Sequence, residues 1–214
     1  MNKLEIGFVL KNSFPKKEKS TILARDLGKI ELIEIKKNKL KIKLSPGMLI
    51  AFNIITTKSN IYIVENVKTL MIPMMYKNLQ EMQWMHSLLE ICYYFLPLDE
   101  PNANIFAIIY EAFHFLESSE HFQEDFKIIK KLTILKLLKH LGFYPENNLQ
   151  QITTTFEDLV SAFIDIPNHQ NIKSIQTFIA STNKFDINLI DTWMLNCLKQ
   201  HPNYSSFKAT KMLA

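Results

Sequence analysis

The sequence predicts an α+β protein in which a small closed β-barrel, residues 1–72, is followed by an all-helical domain, residues 73–214. Three observations predict it. Residues 1–72 carry short runs rich in Ile, Val and Leu separated by turn-forming residues, whereas from Pro73 onward apolar residues recur at helical spacing. Formal charge divides at the same point. Residues 1–72 hold 14 Lys+Arg against 6 Asp+Glu, net +8, and residues 73–214 hold 11 against 15, net −4.

The strand candidates are Leu4–Leu10, Ser20–Arg25, Lys29–Ile35, Leu40–Leu44, Met48–Ile55 and Asn60–Val64. Leu40, Ile42 and Leu44 alternate with Lys39, Lys41 and Lys43, the period of a half-buried strand with one face in a core and the other in water. Asp26-Leu27-Gly28, Lys37-Asn38 and Ser45-Pro46-Gly47 tolerate turn conformations. About five short strands in so few residues favour a closed barrel over an open sheet. Beyond Pro73, Leu79, Met82, Met85, Leu89, Cys92 and Leu96 share one helical face, which Pro97 ends. Asp99 and Pro101 signal the start of a second helix with Ile105 or Phe106, Ile109, Phe113 and Leu116 inward. A third, about Glu120 to Leu141, turns Phe122, Phe126, Ile129, Leu132, Leu135 and Leu138 inward, places lysines on its exposed positions and stops at Gly142. Shorter helices are expected from Thr154-x-x-Glu157, a capping box, to Ile164, near Ile172–Ala180, and over Ile187–Lys199.

Composition narrows the function classes. At 214 residues, 47% hydrophobic and 21% charged, the chain belongs with soluble globular proteins and can bury roughly 70% of its unfolded surface. Cys92 and Cys197 belong to no CxxC or Cys/His cluster, so neither a disulfide framework nor a structural zinc is expected. Glu5 interrupts the short apolar run at the N-terminus, which therefore lacks a signal-peptide core, and no stretch approaches the roughly 18 apolar residues of a membrane helix; a cytoplasmic protein without membrane partners is expected. The four glycines form no phosphate-binding loop, and no GxSxG or HExxH is present. Neither an enzyme nor a cofactor is expected.

The order of features resembles the RecO family of recombination mediators. Gly7-Phe8-Val9-Leu10 resembles its opening strand, Thr21-Ile22-Leu23 through Gly28-Lys29-Ile30 its second strand and glycine turn, and Leu44-Ser45-Pro46-Gly47-Met48-Leu49-Ile50 its later barrel strand. Leu79 to Leu116 is similar to the family's first two helices, with Phe95-Leu96-Pro97, then Glu100-Pro101-Asn102, then Ile105-Phe106-Ala107-Ile108-Ile109. Leu137-Leu138 through Leu141-Gly142-Phe143-Tyr144-Pro145 resembles the leucine-leucine, glycine-aromatic-x-proline junction, and Phe207-Lys208-Ala209-Thr210-Lys211-Met212-Leu213 the C-terminus. Two features depart from the family. The four-cysteine zinc module that many relatives carry after that proline is missing, and Lys36-Lys37-Asn38-Lys39 stands where they have an arginine-rich glycine loop. The resemblance implies an N-terminal OB barrel joined to a helical domain. It also implies binding to single- and double-stranded DNA, strand annealing, and assistance to RecA loading beside RecR on DNA covered by single-strand-binding protein.

Candidate DNA-binding residues are Lys36, Lys37, Lys39, Lys41 and Lys43 with Lys16, Lys17 and Lys19 of the first loop, which could line one side of the barrel and track phosphates; the plain alternative is a solvated lysine face. Phe8, Phe52 and Tyr62 are possible stacking rings, core packing being favoured for the phenylalanines, while Tyr62 alternates with Ile61 and Ile63. The resemblance implies that the third helix, with Lys127, Lys130, Lys131 and Lys136, receives the acidic C-terminal tail of single-strand-binding protein; an ordinary amphipathic helix is the alternative. His114 and His121 lie seven apart with Glu117 between them, but a third strong metal ligand is lacking. Two other functions stay open: a protein-interaction adaptor that docks an acidic peptide on the helical domain, and an RNA-binding OB protein.

Overall fold

The structure, a computed structural model, describes residues 3–12, 19–35, 44–58, 61–72, 79–118, 123–143, 188–208 and 210. Its strands are β1 (Lys3–Asn12), β2 (Ser20–Ala24), β3 (Gly28–Glu34), β4 (Leu49–Lys58) and β5 (Ile61–Met71), and its helices α1 (Leu79–Phe95), α2 (Ala103–Ser118), α3 (Gln123–His140) and α4 (Asn188–Lys199). The strands close into a barrel in the order β1-β2-β3-β5-β4, with every pairing antiparallel except β3 with β5. This is an OB-like barrel in an α+β chain. Of the expected strand Leu40–Leu44, residues 40–43 lie outside the described residues, as do the helices expected at 154–164 and 172–180.

Alternation explains the interior. Val9, Ile22, Ala24, Ile30, Leu32, Ile50, Phe52 and Val64 fill it, each flanked by residues pointing outward. β5 runs seven residues past the expected end at Val64. Asn66 adopts φ +55° and the β4–β5 ladder shifts register nearby, so a bulge resets the alternation that Glu65 and Asn66 break in the sequence. Such irregularities give strands the coil that barrel closure requires.

Part of the outer face of β1 and β2 is buried as well. Phe8, Leu10 and Leu23 alternate with interior residues yet are buried, and the Phe8 ring lies 5.5 Å from Phe106 of α2, while α1 packs on β1. The expected boundary at residue 72 marks the change from strand to helix. The compact unit is larger: it comprises Met1–Ile109 together with Phe207–Leu213, and a second unit comprises Tyr110–Ser206 and Ala214.

Gly28 opens β3 with φ +74°, and a Cβ there would collide with the Glu100 carbonyl. The adjoining Lys29 carbonyl accepts the Asp99 amide at 2.9 Å, and Lys29 bridges to Leu98 in parallel. The α1–α2 connection therefore lies against the start of β3. Asn102, rather than Asp99, caps α2: its Oδ1 accepts the Ile105 amide at 3.1 Å. On α1 the buried face is Trp84, Met85, Leu88, Leu89, Ile91 and Cys92. Leu79, expected inward, is 62% exposed because the buried stripe centres on Trp84 and Leu88 instead.

Near the chain's end, Phe207 returns to α1. Its ring lies 4.7 Å from Tyr94 and 5.9 Å from Phe95, and Glu90 accepts the amides of Lys208 and Thr210 and the Thr210 hydroxyl at 2.7, 2.9 and 2.6 Å. In the second unit α3 packs on α4, burying Leu132, Ile134, Leu137 and Leu138 with Met194, Cys197 and Leu198. Leu132, Thr133 and Ile134 are consecutive and all buried, so α3 is covered around more of its circumference than one apolar stripe predicts. A Schellman cap ends it: Gly142 at φ +84° donates to Lys139 and Phe143 to Leu138.

Gly28→Ala is expected to lower thermal stability by more than the roughly 1–2 kcal/mol of a left-handed backbone alone, because the Glu100 carbonyl must also move. An unchanged melting temperature by circular dichroism would contradict the close approach. Phe207→Ala should cost about 3–5 kcal/mol, the usual penalty for emptying a buried aromatic site, and a denaturant titration showing under about 1 kcal/mol would count against the docked tail.

Candidate nucleic-acid interface

In OB folds the strand-2 and strand-3 face and the loops joining strands 1–2 and 4–5 receive oligonucleotides. Of the lysines expected here, Lys16, Lys17, Lys36, Lys37, Lys39, Lys41 and Lys43 lie outside the described residues. Lys19, at the start of β2, is ion-paired with Glu31 of β3.

Three other residues come together on the outer face. Lys11 pairs with Thr21, which pairs with Glu31, and Leu23 pairs with Lys29, so Lys11 and Lys29 occupy neighbouring outward rows of β1 and β3. Tyr93 of α1 lies between them. The Lys11 ammonium donates to the Tyr93 hydroxyl at 3.3 Å and stands 4.5 Å from the ring centroid. The Lys29 ammonium donates to the Tyr93 backbone carbonyl at 2.9 Å and stands 5.8 Å from the same centroid. Two cations on one ring are attracted by its quadrupole. The carbonyl belongs to the last turn of α1, which lacks an intrahelical partner and carries no basic residue of its own, so the barrel supplies the cation that the helix end favours. Burial, opposed by the electrostatics of Cys92 and Glu31, holds the half-buried Lys29 ammonium below its ordinary range. Sequence reasoning missed this group because residues 11, 29 and 93 share no local pattern; the one available signal was period-two placement of Lys29 opposite the inward Ile30.

Phe8 and Phe52 are fully buried. The Tyr62 ring is half-buried against the barrel interior, and burial first and a hydrogen bond to Asp99 second raise its phenol above the ordinary range. Part of that ring thus packs on the barrel core, and the residue is not fully buried as Phe8 and Phe52 are.

On α3, Lys130, Lys131 and Lys136 are half-buried rather than fully exposed; the Lys127 side chain lies outside the described residues. Desolvation first, then the charges of Lys136 and Lys139, lower the His140 imidazole from its usual value. Lys136, Lys139 and His140 therefore lie close together at the C-terminal end of α3. His114 is exposed beside the Tyr110 ring at 6.3 Å, His121 and the Glu117 side chain fall outside the described residues, and among the described residues no three metal-ligating side chains cluster. Cys92 and Cys197 are free and buried, and burial pushes the Cys92 thiol up to about 12, which makes it inert as a nucleophile. Among the described residues no helix is long and apolar enough to cross a membrane.

Removing the two lysine charges with Lys136→Gln and Lys139→Gln should raise the His140 pKa, because less repulsion opposes the imidazolium. An NMR pH titration in which His140 does not move would contradict an influence of these two charges on the imidazole. No family model and no curated protein matches the chain.

Proposed function

We propose that this protein is a non-enzymatic, RecO-like recombination mediator whose barrel binds single-stranded DNA. It anneals complementary strands and assists RecA loading, beside RecR, on DNA covered by single-strand-binding protein. One observation carries the DNA-binding part: a closed barrel in the order β1-β2-β3-β5-β4, the architecture of OB modules, formed by the segment that holds the net +8. Lysines neutralising phosphates release condensed counterions, which supplies affinity without sequence readout because an ammonium is a mobile point charge rather than a planar fork. Annealing requires no bond to be made or broken. Cations screen two polyanions from each other while weak, exchanging contacts leave the bases free to pair.

A second reading, an adaptor for an acidic peptide on α3, is supported by Lys127, Lys130, Lys131, Lys136 and Lys139 along that helix. The acidic tail of single-strand-binding protein would be such a peptide, and both activities can then coexist on one chain.

Neutralising about five phosphates of a single strand should make log K fall with log salt at a slope of about −3.5. Reversing Lys39, Lys41 and Lys43 to Glu should shallow that slope toward about −1.4 and weaken oligonucleotide binding at least about tenfold, with the circular dichroism spectrum intact. A slope near zero in the wild-type protein would overturn DNA binding, and an acidic peptide bound in its absence would favour the adaptor. Tighter binding to RNA in direct competition would point instead to recognition of the 2′-hydroxyl.

A further inference from the structure

We propose that Lys11, Lys29 and Tyr93 form a phosphate subsite that takes one backbone phosphate of a single-stranded nucleic acid, an inference that rests on the DNA-binding function above. The geometry leaves donors of both lysines without a protein partner among the described residues. An ammonium carries three N–H groups, and the contacts to Tyr93 use one from each lysine. Among the described residues neither ammonium is paired with a carboxylate, and the nearest acidic neighbour in the strand register, Glu31, is taken up by Lys19. Both ammonium groups approach one tyrosine, Lys11 at its hydroxyl and Lys29 at its backbone carbonyl, so positive charge gathers along that side chain.

The subsite is held in place. Tyr94 meets Tyr93 edge to face at 5.0 Å, and Phe207 packs on Tyr94, so the tyrosine between the lysines is buttressed from behind. A half-buried ammonium without a carboxylate gains from a counter-anion more than a solvated one does, since the anion replaces lost hydration. The carbonyl end of α1 neutralises part of the Lys29 charge; the exposed Lys11 therefore contributes the larger share of attraction. A nucleic-acid strand is favoured over an acidic peptide because Lys11 stands one residue from the end of β1, where the chain enters the loop that OB folds use for oligonucleotides.

The test uses the full-length chain and a labelled thymidine oligonucleotide of about fifteen nucleotides, followed by fluorescence anisotropy across a salt series. Lys11→Gln, at an exposed position, should weaken binding roughly three- to fivefold, the effect of one surface charge contact, and shallow the salt slope by about 0.7. Inorganic phosphate should shift the wild-type Tyr93 ring resonances, and Lys11→Gln should weaken that response. Unchanged affinity and slope in Lys11→Gln, while the wild type binds, would overturn the subsite and leave the proposed function standing. A wild type that binds no oligonucleotide would overturn the function and the strand assignment together. Tyr93 shifts with phosphate but no oligonucleotide effect, or displacement of phosphate by an acidic peptide alone, would also reject the nucleic-acid assignment.

Discussion

The close approach of β3 to the α1–α2 connection is the constraint on which the first unit depends. Gly28 leaves room for the Glu100 carbonyl where any side chain would collide, and this proximity lets the next residue act twice. The Lys29 carbonyl takes the Asp99 amide, and its ammonium takes the Tyr93 carbonyl. Asp99, in a left-handed conformation at φ +59°, then reaches the Tyr62 phenol on the neighbouring strand β5. One glycine thus allows a lysine to cap a helix and an aspartate to tie two strands to that helix's exit. The bonds are individually modest, worth about 1 kcal/mol each, or more where charged, but they share one geometry and fail together.

That arrangement also decides which surfaces of the barrel remain free. An isolated OB barrel exposes outward residues on all its strands; here Phe8, Leu10 and Leu23 carry apolar side chains outward on β1 and β2, and they are buried. Nucleic acid cannot lie over that part of the barrel without displacing protein. The cations at its margin, Lys11 and Lys29, are brought toward Tyr93 by the same packing, so the helix does not simply cover the barrel but organises charge along its edge.

Much of the fold was legible because barrel strands and amphipathic helices leave period-two and period-3.6 traces in a single segment. The ends of β1 to β3 fell within two residues of expectation, and the glycine stop at Gly142 is a Schellman cap. Legibility ended where long-range packing overrode local pattern. The bulge at Asn66 concealed the second half of β5, Leu79 belonged to the periodic stripe of α1 but not to its buried face, and Asp99 was a reasonable cap by type although Asn102 performs that task. At the candidate interface the limit is sharper. Charge excess located the barrel as the electropositive segment, yet the Lys11–Lys29–Tyr93 group exists only because three elements meet.

The return of the chain to α1 adds a long-range contact to this architecture. Glu90 and Thr210 are 120 residues apart, and Phe207 is buried against the rings of Tyr94 and Phe95. Contacts of such separation close a longer loop than the turn between β2 and β3 does, at a cost that grows only slowly with length. The docked Phe207 completes the side of α1 that buttresses Tyr94, and with it Tyr93, the residue between the two lysines. The basic edge therefore rests on the Tyr93–Tyr94–Phe207 ring contacts as well as on the barrel strands.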